Sequence, residues 1–158
     1  IYFPMKILIT GGSGFVGSNI AIYLKKKIKN AQISCLDNLM RRGSIINRNR
    51  LKKYKIKNYK LDIEKSNKLK LLPKFNIVID CCAEPAIEMS KKDPERVFKT
   101  NLTGTFNILQ KCIRDSSNII FLSSSRVYSI IHLRNLIKKG NLTKPLKISK
   151  SIKEDLKQ

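Results

Sequence analysis

The chain is short of acidic residues, of histidine and of long apolar runs. Eleven Asp and Glu stand against 33 Lys and Arg, a formal charge of +22 at pH 7 over 158 residues. Such an excess first suggests nucleic acid or an anionic membrane surface. The lysines form no block, however. They are spread through nearly every loop and helix face, and no RNA-binding or helix-turn-helix signature accompanies them, so no specific nucleic-acid partner is expected. A diffuse positive field of this kind can still draw in an anionic substrate. No apolar run approaches the ~18 residues of a membrane span, and the N-terminus lacks the apolar core and cleavage site of a signal peptide. A cytoplasmic protein with no membrane partner is expected. The single histidine, His132, and four cysteines without a C-x-x-C pair offer no metal-ligand spacing, so no metal is expected. Cys35, Cys81, Cys82 and Cys112 lie in apolar runs or on a helix and read as small buried hydrophobes in a reducing compartment.

What is present alternates. Short continuous segments at 6–10, 32–36, 57–61, 77–81 and 118–123 read as strands covered on both faces. Helical patterns fall at 14–28, 63–70 and 94–115. The last has the clearest start, with Asp93 as N-cap, Pro94 at the first helical position and Glu95 favouring the dipole. Its apolar face is Val97, Phe98, Leu102, Phe106, Leu109 and Ile113. Right-handed β-α-β crossovers then give an α/β fold, a doubly wound parallel sheet of order 3-2-1-4-5 with its crevice between the first and fourth strands. Residues 41–57 read as a polar basic connection without periodicity, and beyond Tyr128 the pattern fades. The expected organisation is an extension at 1–4, a Rossmann-like dinucleotide-binding domain over 5–130 and a basic tail over 131–158, with the sheet stopping after about five strands.

The most informative segment is Thr10-Gly11-Gly12-Ser13-Gly14-Phe15-Val16-Gly17. Glycines at 11, 14 and 17 sit between the apolar run Ile7-Leu8-Ile9 and an amphipathic stretch, giving strand, tight turn and helix. Gly11 allows the turn, Gly14 lets the backbone approach a pyrophosphate, and Gly17 lets the helix pack on the strand. A lone glycine triplet is a weak signal, but the required context stands on both sides and Asp37 ends the next apolar run. A carboxylate there accepts both hydroxyls of an adenosine ribose and repels a 2′-phosphate, which favours NAD over NADP. Arg41 and Arg42 argue the other way, unless they are solvated loop cations or partners of Asp37.

Five motifs in order resemble the NAD-dependent sugar-nucleotide epimerase/dehydratase family, of the extended short-chain dehydrogenase/reductase type. These are Thr10–Gly17 itself, Asp37-Asn38-Leu39, Leu61-Asp62-Ile63, Asn101-Leu102-Thr103-Gly104-Thr105 and Ser123-Ser124-Ser125-Arg126-Val127-Tyr128, the last one serine short. Within the family, Asp37 to Ser44, and Ala83-Glu84-Pro85-Ala86 followed by Asp93-Pro94, resemble the CDP-paratose 2-epimerase subfamily. The resemblance implies an NAD-dependent epimerase acting on a nucleotide-diphosphate sugar, a CDP-sugar favoured, by transient oxidation of a sugar hydroxyl, with a homodimeric full-length form. A dehydratase or reductase of the same family, or a non-catalytic NAD-binding module, are the alternatives.

The same resemblance implies cofactor contacts for Gly11, Gly14, Phe15, Val16, Gly17, Asp37 and Asn38. Asp62 would meet the adenine amino group, or else cap a helix, and Ile63 would lie beside the ring. Cys81, Cys82 and Ala83 would line the cofactor, with Asp80 where the family has His. Asn101 would lie beneath the cofactor, or be a satisfied core amide. Ser124 takes the place of the catalytic Ser/Thr, the alternative being strand-end turn chemistry. The family's Tyr-x-x-x-Lys, whose lysine lowers a phenol from its usual pKa of ~10, is absent after the serine run. Tyr2 with Lys6 and Tyr23 with Lys27 fit the spacing by chance, in the wrong elements. The 158-residue chain is therefore expected to be inactive by itself.

Overall fold

The five expected strands form, and all are parallel. The computed structural model describes residues 4–123, and within it β1 (Met5–Thr10), β2 (Ala31–Asp37), β3 (Lys57–Lys60), β4 (Ile77–Asp80) and β5 (Asn118–Phe121) pair in the order β3-β2-β1-β4-β5. Ile7 of β1 stands level with Ile33 on one side and Ile77 on the other, which brings Thr10 beside Leu36 and Asp80. The C-terminal ends of β1, β2 and β4 thus lie together at one end of the sheet. The first compact unit of the chain closes at Leu122.

Alternation along the strands splits the core into two layers. Ile7, Ile9, Ile33, Cys35 and Ile79 pack under α1 (Phe15–Lys27), through Ala21 and Ile22, and under α2 (Ser44–Lys53), through Leu51. On the other face Leu8, Leu36 and Val78 pack with Ile63, Leu69 and Phe75 and with Ile108 and Cys112 of the long C-terminal helix. The buried Cys35 and Cys112 are core hydrophobes, as their apolar settings predict.

Helix bounds depart further from expectation. The region 41–57 is not an irregular connection, because α2 occupies Ser44–Lys53 after Gly43 turns the chain at φ +90°. The helix expected over 63–70 shrinks to α3 (Ser66–Leu69). A short α4 (Ile87–Lys92) was not foreseen. The helix expected over 94–115 is built in three parts: α5 (Pro94–Phe98), a π-helical segment Lys99–Gly104, and α6 (Thr105–Asp115). Its predicted start holds, with the Arg96 amide donating to Asp93 Oδ1 at 3.0 Å.

Its predicted inward face does not hold. Phe98, Leu102, Phe106 and Ile113 are all more than half exposed, whereas Gly104, Ile108, Lys111 and Cys112 face the sheet. A Cβ on Gly104 would come within 2.4 Å of the Ile63 side-chain tip, so a larger residue there would have to displace Ile63 from its place in the core. Lys111 is buried because its Nζ donates to Asp115 Oδ2 at 2.5 Å and to the Pro73 carbonyl at 3.1 Å, and lies 5.3 Å from the Phe75 ring centre. Among the described residues, no helix is long and apolar enough to cross a membrane.

Candidate functional site

A cleft of about 330 Å³ opens over the C-terminal ends of β1, β2 and β4. Its floor is the glycine loop. Gly11 takes φ +59°, and a Cβ there would lie 2.7 Å from the Cys81 carbonyl oxygen, so the loop runs directly over the end of β4. Gly14 caps α1 without a side-chain hydrogen bond. Its Cβ would meet only the Gly11 carbonyl oxygen, at 3.0 Å, and otherwise point into open space. Gly17 does not serve the strand as expected: its Cβ would fall 2.4 Å from the Gly11 carbonyl oxygen, so its smallness lets α1 pack on the loop itself. The first amide of α1 with a helical partner is that of Ser18, donating to Gly14, which leaves the Phe15, Val16 and Gly17 amides for an anion. Phe15 and Val16 side chains are exposed beside the cleft.

Asp37 crosses from β2 to this loop. Its Oδ2 accepts the Ser13 amide at 2.9 Å and its Oδ1 accepts the Leu39 amide at 2.8 Å. Each oxygen keeps a lone pair for a further donor. Asn38 donates from Nδ2 to Asp62 Oδ2 at 2.9 Å, and Asp62 Oδ1 accepts the Glu64 amide at 3.0 Å. Asp62 therefore closes a local turn and is not the N-cap of α3, whose cap is Lys65. Ile63 lines the cleft but is 3% exposed, spent mainly in the core against Gly104. Below the loop, Asn47 Nδ2 donates to the Ser13 carbonyl at 3.0 Å and Asn58 Nδ2 to the Ser13 hydroxyl. This amide support carries no motif in the sequence and was not foreseen.

The segment after β4 forms the opposite wall. Asp80, 1% exposed, accepts from the Thr10 hydroxyl and from the Cys82 amide through Oδ1, while its Oδ2 has no partner among the described residues. Burial pushes its carboxyl above the usual range, against those two hydrogen bonds. Burial, and then the Asp80 charge, also push the Cys81 thiol to about 11 and the Cys82 thiol to about 12. Both stay protonated at neutral pH and line the cleft with Ala83 as neutral groups. Asn101 is neither in the cleft lining nor a core amide. Its Oδ1 accepts the Glu84 amide at 2.7 Å and its Nδ2 donates to the Glu84 carbonyl at 3.1 Å, so it clamps the wall in place. Arg41 pairs with Glu84 and not with Asp37.

The structure thus brings Gly11, Gly14, Phe15, Val16, Gly17, Asp37, Asn38, Asp62, Ile63, Cys81, Cys82 and Ala83 to one cleft. Ser124, with Tyr128, lies outside the described residues. The cradle fits a dinucleotide: free helix-end amides, a glycine open toward the cleft and a carboxylate with spare acceptor capacity at the end of β2.

Fold and topology define an α/β protein of the Rossmann-like class. Residues 7–149 match the NAD dependent epimerase/dehydratase family, and the chain belongs to that family. It is 38% identical over 131 residues to the dTDP-D-glucose 4,6-dehydratase of Dictyostelium discoideum, covering 80% of this chain and 30% of that protein. It is 33% identical over 134 residues to the CDP-paratose 2-epimerase of Salmonella typhi, covering 78% and 38%. Among solved structures, a UDP-glucose 4-epimerase from Thermotoga maritima, crystallised with UDP-glucose, superposes with a TM-score of 0.67 at 30% identity over 76% of this chain and 38% of that one. The chain spans less than half the length of each of these relatives.

Proposed function

We propose that the chain is the cofactor-binding part of a nucleotide-sugar epimerase of the CDP-paratose 2-epimerase kind, using NAD. The observation that carries this reading is the placement of Asp37, with a spare lone pair on each oxygen, beside the open amides of α1. Bound NAD supplies hydride transfer to and from a sugar carbon. The chain's own residues bind and orient: Gly14 leaves room for the pyrophosphate, Phe15, Val16 and Gly17 offer amides to it, and Asp37 takes the ribose hydroxyls. Asn38 and Asp62 form the adenine end, with Ile63 behind the ring, and Cys81, Cys82 and Ala83 form a neutral wall. Asn101 holds that wall through Glu84. Ser124 is assigned the hydroxyl that donates to a sugar oxygen.

The CDP preference rests on the likeness of Asp37 to Ser44 and of Ala83 to Ala86 to the paratose epimerases. A 4,6-dehydratase acting on a dTDP-sugar is the second reading, favoured by the 38% identity to the Dictyostelium enzyme. A homodimeric whole protein, in the cytoplasm, completes the proposal; the exposed stripe Phe98, Leu102, Phe106 and Ile113 supports the first part, and the four cysteines, none in a disulfide, support the second.

Thermal melts test the reading. Stabilisation that grows with NAD concentration supports it, since a ligand of the native state alone raises stability by mass action. Melting indifferent to NAD contradicts it. Adding CDP- or dTDP-linked sugars to the NAD-loaded chain then separates the two substrates: a further shift with the CDP-sugar alone favours the epimerase, with the dTDP-sugar alone the dehydratase.

A further inference from the structure

Arg41 stands four residues past Asp37 and lines the same cleft. A cation so placed is the natural partner of a 2′-phosphate, and would admit NADP to a site whose carboxylate rejects it. The side chain is already engaged. Arg41 Nη2 lies 2.5 Å from Glu84 Oε1, and the two partners differ sharply in burial: Arg41 is 52% exposed, Glu84 only 5%. The carboxylate is the fixed member of the pair. Its backbone is clamped on both sides by the Asn101 amide, and its second oxygen, Oε2, faces Arg96 Nη2 at 3.3 Å. Glu84 cannot follow Arg41 outward. A phosphate that recruited Arg41 would leave a buried carboxylate with one partner where it had two, a change that costs the protein more than an exposed pair would.

We infer that Glu84 is a specificity residue: by holding Arg41 across the cleft, it withholds the cation that stands four residues past Asp37 from a 2′-phosphate and so reinforces the discrimination begun by Asp37. Nothing in either local motif reveals this, because the partners are 43 residues apart in sequence. The inference rests on the cofactor reading proposed above.

Calorimetric titration of the 158-residue chain and of the E84Q, R41M and E84Q/R41M variants with NAD and NADP tests it. The chain itself prefers NAD. In E84Q the freed guanidinium reaches the phosphate, and the preference narrows by about tenfold, the change expected of one charge-assisted hydrogen bond of about 1.4 kcal/mol. The double variant returns to the original preference. R41M alone shifts both cofactors alike, since Arg41 already serves Glu84. An E84Q variant that weakens both cofactors equally assigns Glu84 a purely structural role and overturns the inference, leaving the cofactor reading intact. So does a selective loss of NADP binding in R41M, and this variant decides the question even where E84Q does not fold. A chain that binds neither cofactor overturns both readings together.

Discussion

Ser13 donates its amide to Asp37 Oδ2 across 2.9 Å, which ties the glycine loop to the carboxylate that ends β2. One residue thus does two things: it shapes the cradle and offers its remaining lone pairs to whatever enters it. Asn47 and Asn58 hold Ser13 from below through its carbonyl and hydroxyl, so the loop is fixed from both sides before any ligand arrives. Preorganisation of this kind lowers the ordering cost of binding.

Gly14→Val separates cradle from helix. The added side chain projects into the cleft, where only the Gly11 carbonyl oxygen stands near, at 3.0 Å from its Cβ. NAD binding should disappear by calorimetry while far-ultraviolet circular dichroism stays near that of the parent chain. A folded variant that retains its affinity contradicts the assignment of this loop to the pyrophosphate.

Asp80 gives the fold a pH dependence. Burial raises its carboxyl above the usual 3.8, so the native state holds this proton more tightly than the unfolded chain does. Stability from this group is full below the unfolded value and falls as pH rises through the folded one. Asp80→Asn removes that fall. Melting temperatures followed upward from pH 3.8 to neutrality should show the variant gaining on the parent chain as pH increases; a constant difference over that range would show that the charged form is not disfavoured in its site.

Two apolar residues on α6 should behave oppositely. Ile108 is fully buried against the sheet, and Ile108→Ala should cost about 2–5 kcal/mol in denaturant unfolding. Phe106, 55% exposed two residues earlier, should cost less than about 1 kcal/mol when replaced by Ala. Equal losses would mean that the face turned to solvent is packed in the native protein.

The strands were legible in the sequence to within two residues because parallel strands buried on both faces read as short, mainly apolar segments, and the middles of β1, β2 and β4 carry such segments. The glycine loop and Asp37 were legible because close backbone approach leaves only glycine as a choice. Helix α2 was not, since it buries only Ser44 and Leu51 while Ile45 and Ile46 point to solvent, which leaves no period to read. The face of α6 was misjudged for a related reason. Inward positions are chosen there by close approach at Gly104 and by an ion pair that neutralises Lys111, and neither adds apolar residues to the pattern. The pairing of Arg41 with Glu84 depends on a sheet that places the ends of β2 and β4 around one cleft, so no local segment contains it. Ser124, singled out by its motif, lies outside the described residues.

Cofactor titration of the chain tests most directly whether Asp37 and the glycine loop form an NAD cradle. Calorimetry with NAD and NADP should show saturable binding of NAD, weaker binding of NADP, and loss of that preference in Asp37→Ala, which removes both the ribose acceptor and the anchor of Ser13. Equal or tighter binding of NADP by the parent chain, or an Asp37→Ala variant that still prefers NAD, would contradict the assignment.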